Sequence, residues 1–269
     1  MSFVQTILTT VFVLIVAPIA TFIIGTACVG ASLVGAPDRS GSPYDVLPRF
    51  WAKVILNASS VRVVVHNPER AAVGNAHIFV ANHMSWWDIP VLGCFLPRCK
   101  FVAKAELFRI PVFGAAMRAV GMVPIERQNR KAAFGAYDEA AKRIRDGNSV
   151  IVFPEGTRGT VYPLRPFKKG PFVLAINAGA PVVPVLIHGT REVIARGQIW
   201  VRPGRVDVHL LEPVNVEGLG YDDRDRLAAE VRSRIAEALA THYGIESTPA
   251  ITPSSKAVAK STTDNTETS

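Results

Sequence analysis

Residues 77–88 read HIFVANHMSWWD, a short apolar run that is followed at once by polar and aromatic side chains. The run HIFVA is too short for a stable helix and has the composition of a buried strand. A helical pattern follows over residues 86–96. The stretch therefore predicts a strand that delivers Asn82 and His83 to a loop and Asp88 to the first turn of the next helix.

The same alternation of short apolar runs and helical patterns continues along most of the chain. Such alternation is typical of an α/β sheet with helices packed on it. The predicted strands are 61–66, 77–81, 100–103, 122–125, 149–153, 182–187 and 206–211. The predicted helices are 86–96, 111–120, 131–146, 169–179 and 222–243, preceded by an amphipathic helix at 44–58.

Residues 4–36 are apolar throughout and contain no charged side chain. This head exceeds the ~20 residues that one membrane-crossing helix needs. It is also too long for a cleavable signal peptide and lacks an early basic residue. Two geometries fit: one tilted helix kinked near Pro18, or a helical hairpin held in one leaflet. The first basic residues, Arg39, Arg49 and Lys53, all follow the head, a bias that predicts a cytoplasmic location for the rest of the chain.

Composition divides the chain into three parts. Residues 1–36 are predicted to be a membrane-embedded helical segment, and residues 37–245 an α/β domain. Residues 246–269 are rich in Ser, Thr and Pro without periodicity, which predicts a disordered tail. The three cysteines are too few and too poorly spaced for a disulfide framework or a zinc site, so no metal is expected.

The charge of the chain is concentrated in its middle. The net charge is +8, while 49% of all residues are hydrophobic and only 19% are charged. Those values exclude a disordered or fibrous protein and argue against a nucleic-acid binder. Residues 98–205 hold 19 basic against 7 acidic residues, and residues 206–269 hold 6 against 11. Basic and apolar character together point to anionic membrane lipids as a partner.

His83 and Asp88 have the spacing of a catalytic dyad. A histidine just outside an apolar strand is suited to act as a general base near neutral pH. A carboxylate five residues later could bond the other imidazole nitrogen and fix its tautomer. Ser85 lacks the strained elbow of a serine nucleophile, so the dyad would activate a substrate hydroxyl. The alternative is that Asn82 and His83 simply cap a helix.

Basic side chains recur at the ends of successive predicted strands. Residues 153–158 read FPEGTR, where Gly156 permits close backbone approach and Arg158 could grip a phosphate. Glu155 could orient that arginine or accept from a substrate hydroxyl, unless the pair is an ordinary surface ion pair. GMVPIER at residues 121–127 and PFKKG, which contains Lys168 and Lys169, add further cations. Their recurrence predicts a shared anion-binding surface.

Four stretches resemble, in order and spacing, the four motifs of the glycerolipid acyltransferases, which include the 1-acyl-glycerol-3-phosphate acyltransferases. They are NHMSWWD, GMVPIER, FPEGTR and VVPV, supported by KAELFRIPVFG and FKKGPFVLAINAG. The resemblance covers roughly residues 77–190, and four ordered motifs are far more specific than one. The second motif ends Ile-Glu-Arg here, where the family more often has Ile-Asp-Arg.

The resemblance implies a mixed, largely parallel sheet and acyl transfer from a thioester to a glycerolipid hydroxyl. His83 would be the general base and Asp88 its orienting partner. Pro184 in the fourth motif would shape the acyl or donor site. The acceptor's phosphate would bind residues of the second and third motifs and the adjacent lysines: Arg127, Glu155, Gly156, Thr157, Arg158, Lys168 and Lys169.

The expected reaction forms phosphatidic acid from lysophosphatidic acid at a membrane. Acyl-CoA or acyl carrier protein would be the co-substrate, with no other cofactor and no nucleic acid. Another lysophospholipid, a lyso-aminolipid or glycerol 3-phosphate are alternative acceptors, because acceptor choice depends on pocket shape. A non-enzymatic lipid-binding protein is a remoter alternative, which leaves the spacing of His83 and Asp88 unexplained.

Overall fold

The computed structural model of the chain describes residues 3–71, 76–126 and 130–248, with the backbone alone for residues 130–134. The described part forms one seven-stranded sheet in the order β1-β7-β6-β2-β5-β3-β4. Its strands are β1 (Val61–His66), β2 (Ile78–Ala81), β3 (Cys99–Lys104), β4 (Val123–Ile125), β5 (Ser149–Val152), β6 (Val182–His188) and β7 (Gly204–Leu210). Neighbouring strands are parallel except for β6 and β7, which are antiparallel.

Helices cover both faces of this sheet. They are α1 (Phe3–Leu33), α2 (Pro43–Ala58), α3 (Asp88–Gly93), α4 (Phe113–Ala119), α5 (Arg130–Arg145), α6 (Gly170–Ala178), α7 (Thr190–Val193) and α8 (Arg224–Tyr243). The mixed, largely parallel α/β fold expected from the sequence is therefore confirmed.

Strand β2 shows why the strands of the sheet are apolar at every position of their sequence. Ile78 and Val80 belong to one buried core, which α5, α6 and α8 cover. Phe79 and Ala81 point to the opposite core, which includes residues of α1, α2 and α3. Because side chains alternate along a strand and both faces are buried, apolar residues are needed at every position.

The predicted strands agree with the structure to within two residues at each end, and the predicted helices to within three. The largest difference is at α3, which spans Asp88–Gly93 where residues 86–96 were predicted, so it begins two residues later and ends three residues earlier. The Asp88 carboxylate accepts the backbone N–H groups of Met84 and Ser85, which closes a tight loop before the helix starts. The short helix α7 was not predicted.

The apolar head is one continuous helix, so of the two geometries a hairpin within residues 4–36 is wrong. By length and composition α1 could cross a membrane. Its buried face carries mainly small residues, among them Thr10, Ala20, Gly25 and Cys28. Its large apolar side chains instead face outward, with Leu8 and Leu14 each more than 60% exposed. Such an exposed apolar surface requires a partner.

Contacts at several places along its length hold α1 against the described rest of the chain. Near its start, the Val201 N–H donates to the Thr10 hydroxyl at 2.9 Å. In its second half, the Trp51 indole donates to the Thr21 hydroxyl at 3.0 Å. Close by, Gly25 packs against α4, where an added Cβ would lie 3.3 Å from Ala116. The helix therefore lies along the α/β domain and does not project away from it.

A buried ion pair fixes the connection between α1 and α2. Lys100 of β3 is 1% exposed, and its ammonium lies 2.9 Å from the carboxylate of Asp38. Beside it, the carboxylate of Asp45 accepts the backbone N–H of Arg98 and of Gly41. The predicted division at residues 36/37 and the predicted tail stay predictions, and residues 249–269 of that tail lie outside the described residues.

Candidate active site

His83 and Asp88 are in direct contact. The Asp88 Oδ2 atom lies 2.7 Å from His83 Nδ1, and it also accepts the backbone N–H groups of Met84 and Ser85 at 2.7 and 2.9 Å. Asp88 is fully buried, whereas the His83 side chain is 11% exposed and lines a cavity. Because a carboxylate only accepts, Nδ1 carries the proton and the lone pair of the imidazole is on Nε2.

The fold places the FPEGTR loop directly beside this pair. Strands β2 and β5 are adjacent and parallel, so His83 and Glu155 emerge at the same edge of the sheet. The His83 N–H donates to Glu155 Oε1 at 3.0 Å, and the Gly159 N–H donates to the His83 carbonyl at 2.7 Å. The Phe153 ring stacks on the imidazole with centroids 4.0 Å apart. The histidine is thus held on its backbone, its ring face and Nδ1.

Glu155 differs from the sequence-based interpretation. It is 5% exposed, and its carboxylate bonds the His83 backbone, while the Arg158 guanidinium lies over the Trp86 ring, 4.6 Å from its centroid. The alternative in which Glu155 and Arg158 form an ordinary surface ion pair is therefore wrong. Burial raises the pKa of Glu155 to about 7, despite the hydrogen bond from the His83 N–H, which favours the ionised form.

Asn82 and Ser85 have structural roles, and the helix-capping alternative is wrong. The Asn82 amide donates to the Ile187 carbonyl and accepts the Ile187 N–H, joining β2 to β6. The Ser85 hydroxyl donates to the Ile194 carbonyl at 2.8 Å. The N-terminus of α3 has no side-chain cap. Both polar residues thus brace the loop that carries His83.

A group of cations surrounds the FPEGTR turn. Gly156 has a φ of +73°, and a Cβ there would lie 2.7 Å from Lys168 Cε, so a glycine lets the lysine pack over the turn. Arg158 is partly buried, and its carbonyl accepts from the guanidinium of Arg196. Desolvation and the charge of Arg196 lower the pKa of Arg158. Thr157, Arg158 and Lys168 all line the cavity.

Two other predicted site residues, Lys169 and Pro184, do not line the cavity in the described structure. The Lys169 ammonium pairs with the Asp225 carboxylate of α8 at 2.6 Å, which turns it away from the cavity. Pro184 is buried in the middle of β6, where it is the register partner of Val80. Pro184 was expected to shape the acyl or donor site, but it does not line the described cavity. Arg127 lies outside the described residues.

One cavity of about 1450 Å³ joins the polar site to an apolar space between helices. It exceeds the ~300–1,000 Å³ of ordinary ligand pockets. Its polar part is lined by His83, Glu155, Arg158, Arg165 and Lys168. Its apolar part lies where α1, α2 and α4 meet, and is lined by Ile24, Gly25, Cys28, Ile55, Met117 and Val120. The arrangement suits a ligand with a charged end and a long apolar end.

Sequence reasoning missed several residues of this site. Trp86 and Phe153 lie inside recognised motifs, and their aromatic character next to His83 and Arg158 was an available signal. Arg165 and Arg196 lie outside those motifs, and nothing local distinguishes them from surface arginines. Their position depends on loops that the chain folds back to the site, a contact that no sequence spacing reveals.

Comparisons with known proteins agree on one family. A family model described as Acyltransferase matches residues 62–188. The 1-acyl-sn-glycerol-3-phosphate acyltransferase of Haemophilus influenzae is 35% identical over 60% of this chain and 68% of that protein. The Escherichia coli enzyme of the same name is 36% identical over 62% of this chain and 68% of that protein.

Plant relatives are longer, and one solved structure is similar over its whole length. The chloroplastic 1-acyl-sn-glycerol-3-phosphate acyltransferase of Brassica napus is 35% identical over 60% of this chain. The chain spans just under half the length of that relative and of its Arabidopsis thaliana counterpart. The 1-acyl-sn-glycerophosphate acyltransferase structure from Thermotoga maritima has a TM-score of 0.70 and 26% identity, covering 91% of this chain and 99% of that one.

Proposed function

Because the chain belongs to the glycerolipid acyltransferase family, we propose that it acylates the sn-2 hydroxyl of 1-acyl-glycerol 3-phosphate and forms phosphatidic acid. The donor is a thioester, either acyl-CoA or acyl carrier protein. The observation that carries the proposal is the His83–Asp88 pair at the polar part of a cavity whose remainder is apolar. The relatives named above carry this activity in their names, which supports the same acceptor.

In this mechanism His83 is the general base. Its Nε2 atom removes the proton of the sn-2 hydroxyl as the oxygen attacks the thioester carbonyl carbon. The tetrahedral adduct collapses, the carbon–sulfur bond breaks, and the imidazolium returns the proton to the leaving thiolate. Asp88 stabilises the imidazolium and keeps the proton on Nδ1 before attack. Such base catalysis contributes ~10²–10⁴-fold in rate, and alignment of two bound substrates contributes further.

The phosphate of the acceptor binds the cations around the FPEGTR turn. Arg158 offers a planar guanidinium at the cavity wall, and Lys168 offers a second charge across Gly156. Stacking on Trp86 fixes the plane of the Arg158 guanidinium before any ligand arrives, which reduces the entropy lost on binding. Glu155 acts indirectly in this scheme, because its carboxylate positions the His83 backbone.

The apolar part of the cavity receives a fatty chain. It is enclosed by α1, α2 and α4, and α1 presents small residues to it, which leaves room between the helices. A chain bound there would extend from the reacting carbonyl near His83 toward Cys28. Burial of each methylene contributes ~0.8 kcal/mol, enough to hold a chain of biological length in line.

The same helix associates with the membrane. The large apolar residues of α1 face outward while its opposite face packs along the domain at Thr10, Thr21 and Gly25. A helix held along the domain with its outer apolar face uncovered places that face in the apolar part of the bilayer, which brings the cavity close to lipid substrates. The domain then stays on the cytoplasmic side, as the basic residues after α1 predict.

One assay tests the proposal. Detergent-solubilised full-length protein is incubated with a panel of lysolipids and glycerol 3-phosphate, with acyl-CoA or acyl carrier protein as donor, and the products are identified by mass. Formation of phosphatidic acid above all other products is expected. A different lysolipid as the best acceptor would overturn the substrate assignment. No transfer to any acceptor, with either donor, would overturn the enzymatic function.

A further inference from the structure

We propose that the loop formed by residues 194–202, between α7 and β7, is a second membrane contact that inserts Ile199 and Trp200 into the headgroup boundary beside α1. We name it the Trp200 loop. The inference rests on the membrane association proposed for α1, and adds to it a separate site with a bilayer of anionic lipid as its ligand.

Backbone hydrogen bonds close the loop, and the side chains at its tip are exposed. The Arg202 N–H donates to the Val193 carbonyl at 2.9 Å and closes its base. At the tip, the Gln198 N–H donates to the Ala195 carbonyl, and Gly197 adopts a φ of +84° to complete the turn. Val201 is 2% exposed and anchors the loop in the core. The tip residues therefore keep their exposure because the backbone holds them there.

Two adjacent large apolar side chains occupy that tip. Ile199 is 64% exposed and Trp200 is 38% exposed. A single exposed apolar residue is ordinary on a protein surface. Two adjacent exposed apolar side chains leave more apolar surface in water than one. The closed loop cannot bury them in the domain. Tryptophan, with an apolar body and a polar N–H, is enriched at the boundary between lipid and water.

The loop that carries the pair contacts α1. The Val201 N–H donates to the buried hydroxyl of Thr10, so the residue next to Trp200 touches α1 directly. Leu8 and Val11, on either side of Thr10, are 65% and 50% exposed. Consecutive Cα atoms are ~3.8 Å apart, so the backbone of Trp200 lies one residue from this contact with α1. A membrane surface that contacts α1 at this point therefore also contacts the Trp200 loop.

The charges around the pair suit an anionic bilayer. Residues 191–205 contain four arginines and one acidic residue. Arg196 and Arg202 flank the pair and are exposed, so they can reach lipid phosphates while the apolar tip lies deeper. The Arg196 guanidinium also donates to the Arg158 carbonyl. The loop thus connects a membrane contact to the wall of the catalytic cavity, and it sets that cavity close to the lipid surface.

Vesicle binding of the full-length protein tests this inference. Wild type and the double variant Ile199→Ser, Trp200→Ser are bound to vesicles of phosphatidylcholine alone or mixed with phosphatidylglycerol. We expect the double variant to bind both vesicles about tenfold or more weakly, because two large apolar groups lose their burial. Arg202→Gln should weaken binding about fivefold, and only to vesicles that contain phosphatidylglycerol.

A matched control is Tyr221→Ser. Tyr221 is 50% exposed and lies in a short 3-10 turn (Tyr221–Asp223) that contacts α6 and α8, away from α1. Its substitution should leave vesicle binding unchanged. Brominated phosphatidylcholine should quench the fluorescence of wild type more than that of Trp200→Phe, a difference that a purely structural role of Trp200 would not produce.

The outcomes separate this inference from the proposed function. Transfer activity in detergent micelles should be the same for the double variant and wild type, because neither residue lines the cavity. Unchanged vesicle binding would overturn the loop's role and leave the acyltransferase proposal intact. If the double variant binds vesicles more weakly but wild type shows no transfer in micelles, the membrane role of the loop stands and the acyltransferase proposal is overturned. A dimer that dissociates in the double variant while vesicle binding persists would assign the tip to a second copy of the chain.

Discussion

The Asp88 Oδ2 atom accepts three hydrogen bonds, from His83 Nδ1 at 2.7 Å and from the backbone N–H groups of Met84 and Ser85. One carboxylate oxygen therefore sets the imidazole tautomer and closes the loop that carries the imidazole. Removal of its charge should weaken catalysis, and removal of its hydrogen-bond capacity should also loosen the loop.

The dyad is tested by kinetics. We expect His83→Ala and Asp88→Asn each to lower kcat by ~10²–10⁴-fold, because one removes the base and the other the charge that stabilises its protonated form. KM for the lysolipid should change little. Ser85→Ala is the control: its hydroxyl bonds the Ile194 carbonyl and the Trp87 N–H and does not line the cavity, so kcat should fall far less than in either dyad variant. Loss of turnover in Ser85→Ala with retained turnover in His83→Ala would refute the mechanism.

The KM for the acceptor should distinguish two basic residues, Arg158 and Lys169, that the sequence alone assigned to the same phosphate site. Arg158→Ala should raise KM for lysophosphatidic acid about tenfold, since a charge-assisted bond to phosphate contributes ~1.5–3 kcal/mol. Lys169→Ala should leave KM unchanged, because the Lys169 ammonium pairs with Asp225 outside the cavity. The comparison needs initial rates at several acceptor concentrations. Equal effects of the two variants would mean that the cations act only through the general field of the surface.

The apolar part of the cavity should limit the length of the acyl chain. Cys28 is buried at the contact of α1 with α2 and α4 and lines the cavity. Cys28→Phe should lower kcat/KM for long-chain donors by ~10-fold relative to short-chain donors, because the ring fills space that the distal methylenes need. Cys94→Ala, outside the cavity lining, is the control. An unchanged ratio between long and short donors would place the chain elsewhere.

The ion pair between Asp38 and Lys100 should stabilise the junction of the helices with the sheet. Asp38→Ala leaves a buried ammonium unpaired, whose pKa burial already lowers. We expect a loss of unfolding free energy toward the lower end of ~3–5 kcal/mol, because Asp38 is partly exposed and water can reach the site. Asp38→Ala combined with Lys100→Met should recover most of that loss in chemical denaturation. A double variant as unstable as the single one would contradict this account.

Glu155 should make stability depend on pH. Its pKa is raised by burial from 4.5 to about 7, so the folded protein holds this proton more tightly than the unfolded chain. The stabilisation is complete below about pH 4.5 and is lost as pH rises to about 7, a total of about 3 kcal/mol. Glu155→Gln can still accept the His83 N–H, and should be more stable than wild type at pH 8 but not at pH 4.5. Parallel denaturation curves at all pH values would refute the assigned pKa.

Local pattern alone predicts much of the fold. The strand Val61–His66 has the predicted bounds, because four valines within six residues are bounded by turn residues. Alternation of such runs with helical periods also predicts the α/β class. The start of α3 was missed because a side chain of the helix itself, Asp88, bonds the loop before it.

The active site likewise has some contacts that the sequence predicts and others that it does not. His83 and Asp88 are five residues apart, and their contact follows from a strand, a short loop and a helix start. The contacts of Glu155 and Lys169 could be known only from the tertiary structure. Glu155 bonds the His83 backbone, and Lys169 pairs with Asp225 of α8. Adjacent residues such as Lys168 and Lys169 look equivalent in sequence, although only Lys168 lines the cavity.

By itself, the sequence determined the α/β class, the apolar head and the dyad, since each depends on periodicity or on groups a few residues apart. Only the tertiary structure decided that α1 lies along the domain, that it encloses a cavity with α2 and α4, and that Val201 donates a hydrogen bond to Thr10. These features join residues up to 191 positions apart. Such contacts depend on how helices and loops pack, and hydrophobic pattern fixes which face is buried but not which neighbour buries it.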